Sequence, residues 1–244
     1  MALWKRAGIA LAALVVAACQ TLGLVKQYEY DERVELSLDG SAVVDITASI
    51  PALVALRGAT LSIDPEARFD RRAFSQLYEA RGVSVRDVSA FRRHGRRFVH
   101  IRLDVADIAE LPRLVPLAWS HYRLDRLEEE FRFVQQVGPA ARIDVGDVGW
   151  SGNELVAFRV HLPSRITFHN SPIGVERGNT LVWEQTLRDR LAGAPLRMEA
   201  RMQTESILYH TLWLFGGSFL SAMAVLAAIL WRVSRSGRRA VITP

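Results

Sequence analysis

The 244-residue sequence predicts an α+β fold: a mainly antiparallel sheet of hairpins packed with two or three helices, plus one C-terminal transmembrane helix. Three observations carry this. Alternating apolar and polar runs come in pairs around Gly-containing turns. Short stretches with apolar residues at helical spacing lie between those pairs. Finally, ILYHTLWLFGGSFLSAMAVLAAILW, from Ile207 to Trp231, contains no Asp, Glu, Lys or Arg.

The chain opens with Lys5 and Arg6 before an apolar run from Ala7 to Ala18. A basic flank, a short apolar core and small residues at its end are the layout of a secretory signal peptide. At about a dozen residues the run is shorter than the ~20 a spanning helix needs. Residues 1–18 are therefore expected to be a signal peptide, and 19–206 an extracytoplasmic domain. In VKQYEYDERVELSLDGSAVVDITASI, Val34, Leu36 and Leu38 share one face and Val44, Ile46 and Ala48 repeat the pattern on the return. Asp39-Gly40 between them predicts a type I′ hairpin turn.

Pro51 to Gly58 reads as a short helix or turn, and Asp64-Pro65 as the start of a helix carrying Phe69, Phe74, Leu77 and Tyr78 and ending at Gly82. A second hairpin turns at His94-Gly95, a short helix around Pro112 follows, and WSHYRLDRLEEEFRFVQQV is a third hairpin. NELVAFRVHLP, SRITFHNSP and NTLVWEQTL add strands, and PLRMEARMQTES runs straight into the apolar stretch. Because both attachments adjoin strands, the first and last strands are expected to meet the membrane side together, where they could be antiparallel neighbours.

As a helix, residues 207–231 would reach about 37 Å, enough for a ~30 Å hydrocarbon core. Trp213 and Trp231 would sit near the two interfaces. Arg232, Arg235, Arg238 and Arg239 follow, so the positive-inside rule predicts that 232–244 is the cytoplasmic tail of a single-pass membrane protein. The +5 formal charge is mostly this topology signal. Without the six basic residues at the two ends, the outward segment holds 25 Arg and Lys against 26 Asp and Glu, and a nucleic-acid partner loses its support.

No enzyme motif is present. GWSGN, residues 149–153, departs from a nucleophile elbow because Asn153 occupies the place of the closing Gly. There is no phosphate loop and no His-Glu-x-x-His. His161 and His169 could meet across a bend, but no Cys or carboxylate cluster completes a metal set, so no metal and no cofactor are expected. The cluster FRRHGRRF, residues 91–98, has two readings: contact of Arg92, Arg93, Arg96 and Arg97 with anionic lipid headgroups, or a solvated hairpin tip. DVGDVGWSG could gate a pocket or simply join two strands. Gly217 and Ser221 have the small-xxx-small spacing that permits close helix approach.

Val16-Ala17-Ala18-Cys19 resembles the lipobox of bacterial lipoproteins, and Cys19 is the sole cysteine. With Asp39-Gly40, Leu162-Pro163-Ser164, Asn170, Gly178-Asn179 and Trp183, the chain is similar to the LppM-like family of bacterial envelope lipoproteins. Ser164 stands where that family would have Gly. The resemblance implies lipidation of Cys19, an α+β domain of lipid-binding-like architecture and no established enzyme activity. The expectation is thus a non-catalytic domain that binds a lipid or other amphiphile, or an envelope protein partner, at the bilayer surface. The alternative is a scaffolding subunit of a membrane complex. A lipid binder should hold a cavity lined by Phe91, Phe158 and Trp183, whereas a scaffold should have a filled core and an exposed apolar patch.

Overall fold

A computed structural model describes residues 26–237. Cys19, the expected signal peptide and Arg238–Arg239 lie outside the described residues. The first three hairpins are β1 (Tyr28–Leu36) with β2 (Ala42–Ser49), β3 (Val83–Arg93) with β4 (Arg96–Val105), and β5 (Ser120–Arg126) with β6 (Glu130–Val137). Strands β7 (Leu155–His161), β8 (Ser164–His169), β9 (Val175–Glu176), β10 (Thr180–Thr186) and β11 (Leu196–Ser206) follow. Helices are α1 (Ile50–Arg57), α2 (Arg71–Gln76), α3 (Leu187–Ala192) and α4 (Ile207–Gly237).

The strands form two sheets rather than one: a seven-stranded sheet in the order β3-β4-β2-β1-β7-β10-β9 and a four-stranded sheet in the order β5-β6-β11-β8. All pairings are antiparallel except β1 with β7. Alternation turns Val34, Val44, Ile46, Ile101, Phe158 and Trp183 inward from the large sheet, against Phe133, Met198, Ala200 and Met202 of the small one. Helix α1 has all eight residues buried; Ser49 caps its start and Gly58, at φ +70°, its end.

The two Gly hairpins differ. His94 and Gly95 are both at positive φ between paired Arg93 and Arg96, a two-residue type I′ turn. At the first hairpin only Gly40 has positive φ; the Gly40 amide donates to the Ser37 carbonyl (3.2 Å) and Leu38 joins the loop. The expected I′ turn there is instead a three-residue loop. The helix expected from Asp64 begins only at Asp70, whose side chain caps Ala73. Asp64 forms an isolated turn, and the carbonyls of Pro65 and Ala67, which a helix would need, accept from Arg92 and Arg97. The stretch around Pro112 forms two 3₁₀ turns, Ile108–Arg113 and Val115–Leu117.

The expected pairing of first and last strands is also overturned. β1 lies between β2 and β7, whereas β11 lies between β6 and β8 in the other sheet. β7 runs parallel to β1, β8 turns back from its end across Leu162-Pro163, and β11 is antiparallel to β8. β11 therefore ends, with Ser206 opposite Ser164, at the end of the domain where β1 finishes rather than where it starts. Nine residues of β1 make that separation about 30 Å. At the far end of β11 the chain enters α4 without a linker, and its stretch Trp213–Arg232 is long and apolar enough to cross a membrane. Every side chain described along that stretch is exposed.

Candidate functional site

The cluster at 91–98 and the Gly-rich segment, singled out separately in the sequence, meet at the end of the domain where β1 starts. The His94-Gly95 turn, the start of α1 and residues Asp147–Gly149 surround a depression of about 420 Å³. Its apolar wall is Ile50, Pro51, Ile63, Pro65 and Val148; its polar wall includes Arg96, Arg97 and Asp147. Two smaller grooves adjoin it, sharing Ile50 and Arg97: about 190 Å³ beside Phe69, Phe91 and Phe98, and about 270 Å³ beside Leu61, Phe74 and Leu77.

The irregular segment 58–70 runs over these grooves and is strapped by two arginines. Arg97 donates to the carbonyls of Ala67 (3.0 Å) and Ser62, and Arg92 to Glu66 (2.8 Å) and the Pro65 carbonyl (2.7 Å). The hydrogen bond from Arg92, with its charge, holds Glu66 below the ordinary carboxylate range. The Gly-rich wall is built from side-chain-to-backbone turns: Asp144 accepts from Gly146, Asp147 from Gly149, and Glu154 from Ser151 and Gly152. Gly146, Gly149 and Gly152 all have positive φ there, which explains the composition.

Arg96, only 7% exposed, joins the two features. It pairs with buried Glu29 at 2.7 Å and donates to the carbonyls of Val148 and Gly149 (3.0 and 3.2 Å). Arg93 donates to the Tyr28 carbonyl (3.0 Å) and lies over the Phe98 ring. All four arginines thus have partners inside the domain, and the tip they surround points away from the end that enters α4. The Nε atoms of Arg96 and Arg97 are buried and make no hydrogen bond among the described residues.

Of the three aromatics expected to line one cavity, Phe158 and Trp183 are brought together as cross-strand partners on β7 and β10. Both are buried in the core, Phe158 against Tyr30 and Trp119, and Trp183 with its indole N–H on Asn170 Oδ1 (3.1 Å). Phe91 is 41% exposed on edge strand β3, stacked on Phe98, and belongs to the strapped groove. A larger depression of about 550 Å³ at the opposite end is lined by Ser, Gly, Ala and Val with Asp104 and offers few large apolar side chains.

Beneath α1 lies a buried polar network that sequence reasoning missed. Glu32 Oε1 accepts from Tyr122 (2.6 Å) and Gln135 (2.8 Å), and Oε2 from Tyr30 (2.6 Å) and Arg57 (3.2 Å). Arg57 lies 3.3 Å from the Trp119 ring centroid, and Arg190 lies 4.9 Å from it. Burial, with the Arg57 charge added, pushes Arg190 down to about 10. Burial likewise raises the phenols of Tyr30 and Tyr122 well above their ordinary range. The signal was present: alternation in YEYDERVEL places Glu32 on the same face as Val34 and Leu36. The network joins both sheets to α1. Among the described residues no group of three or more His, Cys, Asp or Glu could hold a metal ion.

No protein-family model and no curated protein sequence matches the chain. Among solved structures, the chain is similar to the folded domain of LppM from Mycobacterium tuberculosis, determined by NMR. The two share 17% identity with a TM-score of 0.40, over 73% of this chain and 92% of that one.

Proposed function

We propose that the chain is a single-pass membrane protein whose extracytoplasmic domain, without catalysis, holds an amphiphile in the groove strapped by Arg92 and Arg97. The observation that carries the reading is the convergence of three adjoining recesses on Ile50 and Arg97, with apolar walls beside an arginine. An acyl chain suits the walls, and a polar or anionic head suits Arg96 and Arg97. Phe91, rather than Phe158 or Trp183, then serves the ligand. The groove lies about 30 Å along the sheet from the strand end that enters α4. Such a site exchanges its ligand with the envelope space or an envelope partner rather than directly with the bilayer beneath. Arg232 and Arg235 beyond the apolar stretch support a cytoplasmic tail. Cys19 is proposed as a second, lipid attachment.

A scaffolding role is the second reading, favoured by the burial of Phe158 and Trp183 in the core. Native mass spectrometry of the full chain released from membranes in mild detergent separates the two. A retained lipid-sized mass that dissociates on activation is expected; a bare chain mass, unchanged after lipid is added back, supports the scaffold.

A further inference from the structure

The flank on the other side of the domain exposes apolar side chains within eight consecutive residues: Phe168 (46% exposed), Ile173 (44%) and Val175 (51%). They sit on β8, on the turn after it and on β9, which are edge strands of the two sheets. We infer that this flank rests on an anionic bilayer surface beside the transmembrane helix, an inference that depends on α4 spanning the membrane.

Continuity with α4 identifies the occupant. β8 pairs with β11 up to Ser206, and α4 begins at the next residue. Trp213, where the apolar stretch starts, is only about 10 Å further along the helix. No other edge strand is joined so directly to the membrane segment. Charge agrees with this placement. Arg165 and Arg177 are exposed and, among the described residues, their side chains make no hydrogen bond or ion pair, whereas nearby acids are paired: Glu176 faces Arg159 at 3.7 Å, and Glu199 is held by Arg132 at 2.8 Å and Arg197 at 3.2 Å. The unengaged charge is positive, as an anionic headgroup layer requires. Two basic residues on open edges also oppose edge-to-edge pairing with a second copy.

Upright, the domain would hold Phe168 about 13 Å above Ser164. A lean towards β8 brings Phe168, Ile173 and Val175 to the headgroups and turns the arginine-strapped groove, on the β3–β4 side, away from the bilayer. The same lean lowers the start of β1, where Lys26 reaches Glu184 on β10 at 2.7 Å. Lys26 lies seven positions after Cys19, a reach of at most about 25 Å. The lean therefore eases simultaneous attachment by a lipidated Cys19 and α4.

Spin labels test this in the full chain reconstituted into vesicles containing phosphatidylglycerol. Ile173→Cys, His94→Cys and Leu220→Cys are labelled separately, with the unaltered chain setting the background from Cys19. Relative accessibility to oxygen and to a water-soluble nickel chelate gives depth. The expected result is a label at 173 at headgroup depth or below, one at 94 fully aqueous and one at 220 near mid-bilayer. Charge reversal by Arg165→Glu with Arg177→Glu should raise the 173 label towards water. A 173 label as aqueous as that at 94, with 220 immersed, overturns the inference alone; a 173 label broadened by a neighbouring label yet aqueous does so in favour of a second copy. An aqueous label at 220 overturns the membrane reading beneath it.

Discussion

Replacing Glu32 by Ala lowers the stability of the domain by about 3–5 kcal/mol, a fall in Tm of roughly 10 °C. The carboxylate is 1% exposed and accepts four hydrogen bonds, from Tyr30, Arg57, Tyr122 and Gln135. Removing it leaves the Arg57 guanidinium uncompensated between Tyr30 and Trp119, and strips acceptors from two buried phenols and an amide. The loss comes chiefly from the stranded cation. Glu32→Leu combined with Arg57→Met is therefore expected to cost less than Glu32→Ala alone, although Tyr30, Tyr122 and Gln135 still lose a partner. Thermal unfolding of the full chain in micelles, followed by circular dichroism, measures both. Equal losses for the single and double variants would mean that the charge pair contributes nothing beyond ordinary packing.

The second large effect falls on binding. Ile63 is 39% exposed and faces the largest of the three strapped recesses, alongside Pro65 and Val148. Ile63→Glu puts a carboxylate on the apolar wall while disturbing no core contact. Losing the burial of one Ile side chain against a ligand corresponds to about 1.5–3 kcal/mol, roughly a 10- to 100-fold weaker affinity. Stability should stay within about 0.5 kcal/mol of the parent. Val115→Glu, at a more exposed residue that lines none of these recesses, is the control and should leave amphiphile binding unchanged. Equal affinity in both variants, measured by displacement of a fluorescent fatty-acid analogue, would remove the groove from the account.

How far the sequence alone reaches depends on the range of the forces involved. The His94-Gly95 turn was legible because local torsions decide it, both residues taking positive φ. At Asp39-Gly40 the dipeptide is equally suggestive, yet Asp39 keeps negative φ and the loop lengthens by one residue. The helix expected from Asp64 failed for a non-local reason: Arg92 and Arg97, some thirty residues away, take the carbonyls it needed. The site followed the same rule. FRRHGRRF and DVGDVGWSG were each visible as unusual stretches, but their meeting depends on the Arg96–Glu29 pair and on α1, which no spacing encodes. Phe158 and Trp183 were visible as large aromatics on strands; which face they occupy is fixed by register, and register turned them into the core. The apolar segment after Ile207 needed only composition and length.

The central claim is that an amphiphile occupies the strapped groove. Photocrosslinking tests it most directly: a lysophospholipid with a photoactivatable acyl chain, presented below its micelle concentration to the full chain in vesicles, is irradiated and its adducts are mapped by peptide mass spectrometry. Adducts are expected within residues 50–69 and 91–98, suppressed by Ile63→Glu. Adducts confined to Trp213–Arg232, with none in the domain, would contradict it.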